Sequence, residues 1–310
     1  MKVLVTGGAG FIGSHIVDKL IARNCVVVVA DDLSTGLAAN VNPAARLLRL
    51  DIAKDDLGPL FAAERFDGVI HLAAQTAVPK SVEAPDHDCA VNVLGTVNVL
   101  EASRRAGVKR VVFSSTAAVY GAAAAVPIAE TAALSPSSFY GLSKVTAENY
   151  FRLYRELFGL EYVILRYANV YGERQGDAGE GGVVSIFSRR LAAGQPLDIF
   201  GDGGQTRDFV YVGDVADANL QALVSPAANA VYNISTGTEI SVSDLAAVLA
   251  AVAGHEAVIR RLPPREGDIY RSCLDNSKGA EALSWQPQTP LRQGLASTFR
   301  ALAGTCAGRH

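Results

Sequence analysis

At 310 residues the chain is long enough for one large domain or two, and its 49% hydrophobic and 19% charged content is that of a packed globule. A formal net charge of -3 excludes the broad basic field that would collect nucleic acid or an anionic membrane, so any phosphate must be held locally. The four cysteines, Cys25, Cys89, Cys273 and Cys306, share no short spacing, which signals neither a metal site nor a disulfide framework and favours reduced thiols.

The N-terminus runs from Met1 straight into "KVLVTGG", without the charged, apolar and small-residue succession of a secretory leader. The longest weakly apolar stretch, "LAAVLAAVAG" from Leu245, is far short of the ~20 residues that a membrane span needs. Both features predict a soluble cytoplasmic protein.

The first predicted strand, "KVLVT" at 2 to 6, leads into "GGAGFIGSH", with glycines at 7, 10 and 13 at the head of a predicted helix. Without a Cβ, Gly7 can make the tight turn, Gly10 lets a pyrophosphate approach the backbone, and Gly13 allows close helix–strand packing. The helix N-terminus offers free N–H groups to the anion. The next strand, 25 to 31, ends at Asp31, about 20 residues beyond the loop, where a carboxylate would accept from an adenosine ribose. Asp32 follows, better explained as a solvated acidic turn. The succeeding "LSTG" has no arginine for a 2′-phosphate, which favours NAD over NADP.

Further short runs at 46 to 51, 68 to 73, 110 to 115, 162 to 166 and 231 to 235 alternate little, as suits strands covered on both faces. Helically spaced segments lie between them, one of them 91 to 107 with Gly107 as its C-terminal cap. Strand and helix in alternation predict a doubly wound α/β domain. After Arg166 the pattern loosens, passes through a short helix from Val183, and alternates poorly in 244 to 254 and in the Pro-rich 262 to 290 region. This predicts a smaller second domain over the sheet's carboxyl edge. The expected division is 1–165, with 213–235 returning to it, and the remainder of 166–310.

"SSFYGLSKVTAENY" places Tyr140 and Lys144 four apart, hence on one helix face about 6 Å apart along the axis. A tyrosine with a pKa of about 10 is a poor base at neutral pH, but an adjacent ammonium favours its phenolate. "FSSTAAVYG" puts Ser114, Ser115 and Thr116 at a strand end, where a hydroxyl could donate to a substrate oxygen. Surface Tyr and Lys one turn apart are nonetheless common, and the pair alone leaves packing open.

In order along nearly the whole chain, "TGGAGFIG", "HLAA", "SST", "YGLSK", "RYANVYG", "TRDFVYVGD" and "PREGD" resemble the extended short-chain dehydrogenase/reductase family. The resemblance implies a Rossmann-type doubly wound parallel sheet with a smaller, mostly α/β C-terminal substrate domain, and NAD as cofactor. It implies Tyr140 as acid/base, Lys144 as the ribose-binding group that tunes it, and Thr116 as the assisting hydroxyl, Ser115 being its packing neighbour. Along the cofactor it places Gly7, Gly10, Phe11, Ile12, Gly13, Asp31, Asp32, Leu33, Ser34, Thr35, Gly36, Asp51, Ile52, Leu72, Ala73, Ala74, Asn92, Ser114 and Tyr167. Asp51 and Asn92 could equally cap helices. Along the substrate it places Thr76, Asn169, Val183, Phe200, Arg207, Arg265, Asp268 and Ser272; arginines suit a diphosphate because their planar fork makes paired charge-assisted bonds.

The dehydratases of this family carry Asp-Glu after the threonine, and the decarboxylases the Glu; this chain has Ala117 and Ala118. The resemblance therefore implies C4 epimerisation of a UDP-hexose through a transient 4-keto sugar. A 4,6-dehydratase, a uronate epimerase or decarboxylase, and a non-catalytic NAD sensor are the alternatives. Gln75 and Thr76 replace a lysine-bearing segment found in some epimerases. Ser272 falls where glucose-restricted epimerases have tyrosine, which leaves room for a 2-acetamido group, unless a one-residue shift brings Tyr270 or Arg271 there. Finally, the resemblance implies a homodimer through helices 92–106 and 140–158, whose Val97, Leu100, Tyr150, Leu153, Tyr154, Leu157 and Phe158 exceed one buried face.

Overall fold

A computed structural model describes residues 1–123, 125–176, 182–265, 267 and 269–307. Among these, the apolar runs form one parallel sheet of seven strands: β1 (Lys2–Thr6), β2 (Val26–Asp31), β3 (Arg46–Arg49), β4 (Gly68–His71), β5 (Arg110–Thr116), β6 (Glu161–Tyr167) and β7 (Ala230–Ile234). Their spatial order is 7-6-5-4-1-2-3, with Val5 opposite both Val29 and Ile70 and Phe113 opposite Ile164. Successive residues point to opposite faces, so a strand covered on both sides must be apolar throughout. Val3 and Val5 accordingly join one core, and Leu4 the other.

The first core lies under α1 (Phe11–Ala22) and α5 (Val212–Val224), the second under α2 (Gly95–Arg105) and α3 (Phe139–Phe158). Helix α3 opens with Ser138, whose hydroxyl accepts from Gly141 N at 3.1 Å, and closes at Gly159 with φ +78°. Gly107 follows α2 with φ +70°, as the sequence predicts for a helix end. Arg110, buried at the start of β5, donates to the carbonyls of Ala222, Leu223 and Ser225 and pairs with Glu161 at 2.8 Å. It thereby satisfies the end of α5 and fastens that helix to the sheet.

A separate apolar cluster, including Tyr171, Phe187, Leu197, Phe209, Leu245 and Leu295, joins α4 (Val183–Ala192), α6 (Val242–Ala253) and α7 (Leu291–Ala307). The sequence pattern left α6 unassigned. Ala, Val and Leu surround it, so no polar stripe contrasts with a buried one, yet alanine favours helix and Ser241 caps Asp244 N at 3.0 Å. Strand β7 follows α5 in the chain and pairs in parallel with β6. Among the described residues no helix is long and apolar enough to cross a membrane.

Candidate active site

The sheet order reverses between β1 and β4, and ligands of such sheets sit at the carboxyl ends flanking that point. Gly7 follows β1 with φ +71°, and a Cβ on it would lie 2.7 Å from Ala73 N, so the glycine loop rests directly on the Leu72–Ala74 segment after β4. A Cβ on Gly13 would fall 2.1 Å from Gly7 O, which leaves glycine as the residue that lets α1 begin this close to the loop. Gly10 is the N-cap of α1 and offers no side chain to its amides, with Phe11 and Ile12 half-buried in the first turn. A narrow backbone cradle at a helix head fits a dinucleotide diphosphate.

Asp31, 6% exposed, accepts from Ala9 N and from Leu33 N, both at 2.9 Å. It braces the glycine loop from the position expected to meet a ribose. Burial raises its pKa against the opposing pull of the two amides. Asp32 is exposed and accepts from Ser34 N and Oγ, the solvated turn anticipated for it. Beyond it, Thr35 is exposed and Gly36 is buried, where a Cβ would come within 2.9 Å of Asp31 Oδ1. Asp51 caps a turn rather than a helix, accepting from Ala53 N and pairing with Lys54 at 2.7 Å. Ile52 is buried in the core, against Gly95.

Helix α3 carries Tyr140, half-buried in its first turn, and Lys144, 3% exposed one turn on. Lys144 Nζ donates to Ser114 O at 3.0 Å and lies 4.7 Å from the Phe113 ring centre and 5.9 Å from that of Tyr140. Burial lowers its pKa to about 8, with the Asp88 and Glu148 carboxylates pulling the other way. Thr116 ends β5 and accepts from Ala118 N at 3.2 Å, its hydroxyl hydrogen free of that bond. Ser115 donates to Glu148 at 2.5 Å, a packing role. Ser114 and Tyr167 bond to each other at 2.9 Å, and Asn219 donates to Tyr167 at 2.8 Å. Burial pushes the Tyr167 hydroxyl up to about 12.

Asn92 is not a cap. Residues 85–105 run on as one helix in which Ala90–Leu94 form a wider π turn, a feature frequent at functional sites. The extra residue rolls Asn92 inward, where its Oδ1 accepts from Gln75 N and its Nδ2 donates to Gln75 O, Asp88 Oδ1 and Ser143 Oγ. Its side chain is saturated by protein, so it braces the loop after β4.

His71 Nε2 reaches Thr96 Oγ1 at 3.0 Å, and that hydroxyl donates to Asn92 O at 2.6 Å. The threonine must therefore accept from His71, which places the imidazole proton on Nε2 and makes Nδ1 the acceptor for Thr6 at 2.7 Å. Burial, reinforced by the Lys144 ammonium, pushes His71 down to about 3, so the ring is neutral.

Asn169 is exposed on a short strand paired with Phe209–Tyr211, and Val183 is half-buried at the start of α4. Arg265 stacks over Phe200 with its guanidinium carbon 3.8 Å from the ring centre. Arg207 lies directly opposite Ser272 in a small parallel pairing. Tyr270 donates to Asp202 at 2.9 Å, and Arg271, opposite Thr206 in the same pairing, is paired with Glu239. Thr76 is exposed beyond Gln75, and Asp268 lies outside the described residues.

A cavity of about 340 Å³ beside Thr236, Thr238 and 287–291 includes none of the expected residues. A small one of about 20 Å³ is lined by Asn169, Val183 and Gln175, with Phe209 forming a wall of both. Asn169 and Val183 are the two expected substrate residues in the lining of the small cavity, which includes none of Tyr140, Lys144 and Thr116.

Gln175 is 6% exposed and its Oε1 has no partner among the described residues. It was outside the expected set, although its place six residues after Asn169 in "NVYGERQ" was a signal. Gln75 and Asp88 were also missed; Asp88 stands four before Asn92, on the same helix face. Behind α3, Glu148 and Arg166 form a buried pair at 2.5 Å, with Arg166 also donating to Tyr120 at 2.9 Å.

Residues 3–235 match the model of the NAD dependent epimerase/dehydratase family. The chain is 44% identical over 304 residues to the UDP-glucose 4-epimerase of Mycolicibacterium smegmatis, covering 96% of this chain and 97% of that protein. It superimposes on the UDP-glucose 4-epimerase of Thermotoga maritima, solved with UDP-glucose, with a TM-score of 0.94, 43% identity and coverage of 99% and 100%. The Thermus thermophilus UDP-glucose 4-epimerase complexed with NAD gives a TM-score of 0.92 at 42% identity, covering 98% and 99%.

Proposed function

The chain belongs to the NAD dependent epimerase/dehydratase family, and from that membership we propose that it is an NAD-dependent UDP-hexose 4-epimerase, interconverting UDP-glucose and UDP-galactose. The observation that carries the reading is Tyr140 and the buried Lys144 one turn apart at the head of α3, with Lys144 bonded to Ser114 O two residues before Thr116 on β5, and alanines at 117 and 118 where an elimination would need carboxylates. Bound NAD supplies the reversible oxidation at C4.

The chain's own residues handle the proton and the geometry. Tyr140 takes the 4-hydroxyl proton and later returns it, Lys144 holds an ammonium beside the phenol and the ribose, and Thr116 donates to the substrate oxygen. Gly7, Gly10 and Gly13 receive the diphosphate of the cofactor, and Asp31 its ribose. Arg207 and the Phe200-backed Arg265 hold the diphosphate of the sugar nucleotide. In this assignment NAD belongs to residues 1–165 and 213–235, and the sugar nucleotide to the rest of 166–310.

Purified protein carrying NAD and converting UDP-galactose to UDP-glucose is the expected result. Inertness toward every UDP-hexose would remove the assignment, and a 4-keto-6-deoxy product would replace it with dehydration.

Ser272, small and opposite Arg207, extends the substrate range to UDP-N-acetylhexosamines. Ser272→Tyr is expected to lower kcat/KM for the acetamido sugars at least about tenfold more than for UDP-glucose, the scale on which filling a pocket discriminates. Equal losses on both substrate sets would exclude a gate at this position.

We further propose a cytoplasmic homodimer. Tyr150, Leu153, Leu157 and Phe158 leave an apolar strip exposed along α3, with Leu157 at 68% and Phe158 at 52%. Leu100, expected in the same strip, is fully buried in the monomer's own core, while Val97 and Tyr154 are half-buried. A monomeric mass by light scattering at micromolar concentration would remove the dimer.

A further inference from the structure

Asp88 is 1% exposed, and its two carboxylate oxygens have unlike surroundings. Oδ1 accepts from Gln75 Nε2 at 2.8 Å and from Asn92 Nδ2 at 3.2 Å, whereas Oδ2 has no partner among the described residues. A buried carboxylate without a cation in contact costs several kcal/mol unless a nearby charge compensates. Two neutral amides on a single oxygen do not supply that charge.

The charged and titratable groups facing Lys144 identify the compensation. Asp88 comes from the preceding helix, His71 from β4, Glu148 from one turn on and Tyr140 from one turn back. His71 is neutral, and Glu148 is already matched by Arg166. On the other elements packed against α3, Glu101 is paired with Arg104 and Arg105, and Glu161 with Arg110. Among the described residues, Asp88 and Lys144 remain as a buried carboxylate and a buried amine without a salt bridge. Asn92, one turn after Asp88 on the same helix, donates both to Asp88 and across to Ser143 on α3, whose hydroxyl in turn donates to Tyr140 O at 2.9 Å.

We propose that Asp88 is a positioning residue for the reaction: its carboxylate is the buried counter-charge of the Lys144 ammonium, and its bonds to Gln75 and Asn92 fix the loop after β4 against the head of α3. This rests on the epimerase reading only through the kinetic half of its test.

Asp88→Asn removes the charge while leaving an oxygen that can accept from both amides. In the NAD-loaded enzyme the alkaline limb of the kcat–pH profile is expected to move to lower pH by about one unit. A structural role alone would lower kcat evenly across pH.

The second measurement is independent of turnover. Phenolate absorbance at 295 nm, taken as the difference between the chain and its Tyr140→Phe variant, should develop at higher pH in the Asp88→Asn background, because the ammonium that favours the phenolate is lost sooner. Profiles that coincide with wild type in both measurements would overturn the proposal. If the wild type shows no epimerase activity, the absorbance comparison still decides the role of Asp88. Should Asp88→Asn fail to fold, Asp88→Ser carries the same two comparisons.

Discussion

Tyr140→Phe is expected to lower kcat by about 10²–10⁴-fold, the usual worth of a positioned acid/base. The substitution removes one oxygen. The Lys144 contacts to Ser114 O and to the Phe113 ring do not involve that oxygen, and neither do the glycine cradle and Asp31. NAD content and the Kd for UDP-glucose by calorimetry should therefore stay near wild type, since only an interaction used in the transition state is lost. Turnover close to wild type would mean that another group handles the proton.

Glu148→Gln is the stability counterpart. The pair with Arg166 is sealed behind the catalytic helix, with side chains 7% and 5% exposed. Burial works against the arginine's charge, but Glu148 and the Tyr120 hydroxyl more than offset it and raise its pKa. Removing the carboxylate charge leaves a buried guanidinium uncompensated, at an expected cost of about 3–5 kcal/mol in urea denaturation. Replacing both residues by methionine should cost less than either single change, because no unpaired charge remains. A single variant within about 1 kcal/mol of wild type would show that water or relaxation relieves the arginine.

The strands and the glycine loop were legible because the physics that makes them is local. A strand covered on both faces needs a continuous apolar run, and Gly7 and Gly13 are positions where a Cβ has no room. Tyr140 and Lys144 share a face by spacing alone, whereas their environment does not follow from spacing. The burial of Lys144 comes from Phe113 and Ser114 on β5, some thirty residues away.

What escaped were features whose cause is a change of hydrogen-bond register or a distant partner. No residue in "CAVNVLG" announces a π turn, so Asn92 read as a cofactor contact or a cap rather than as the brace for Gln75. Leu100 looked surplus on α2 because the depth of the second core is set by Phe113 and Phe151, which the local pattern does not reveal. In α6 the uniform small apolar residues hid the helical period.

The late arrival of β7 bears on how the protein is made. Six strands of the sheet are complete once Tyr167 has left the ribosome, but β6 then ends the sheet as an open edge, since Ala230–Ile234 has not been synthesised. Arg110 at that moment has none of the carbonyls that it later holds on Ala222, Leu223 and Ser225. The nascent amino-terminal half therefore carries a hydrogen-bonding edge and a buried-type arginine with Glu161 but none of its later carbonyl partners until α5 and β7 emerge, an interval in which slow translation or a shielding chaperone decides between docking and aggregation.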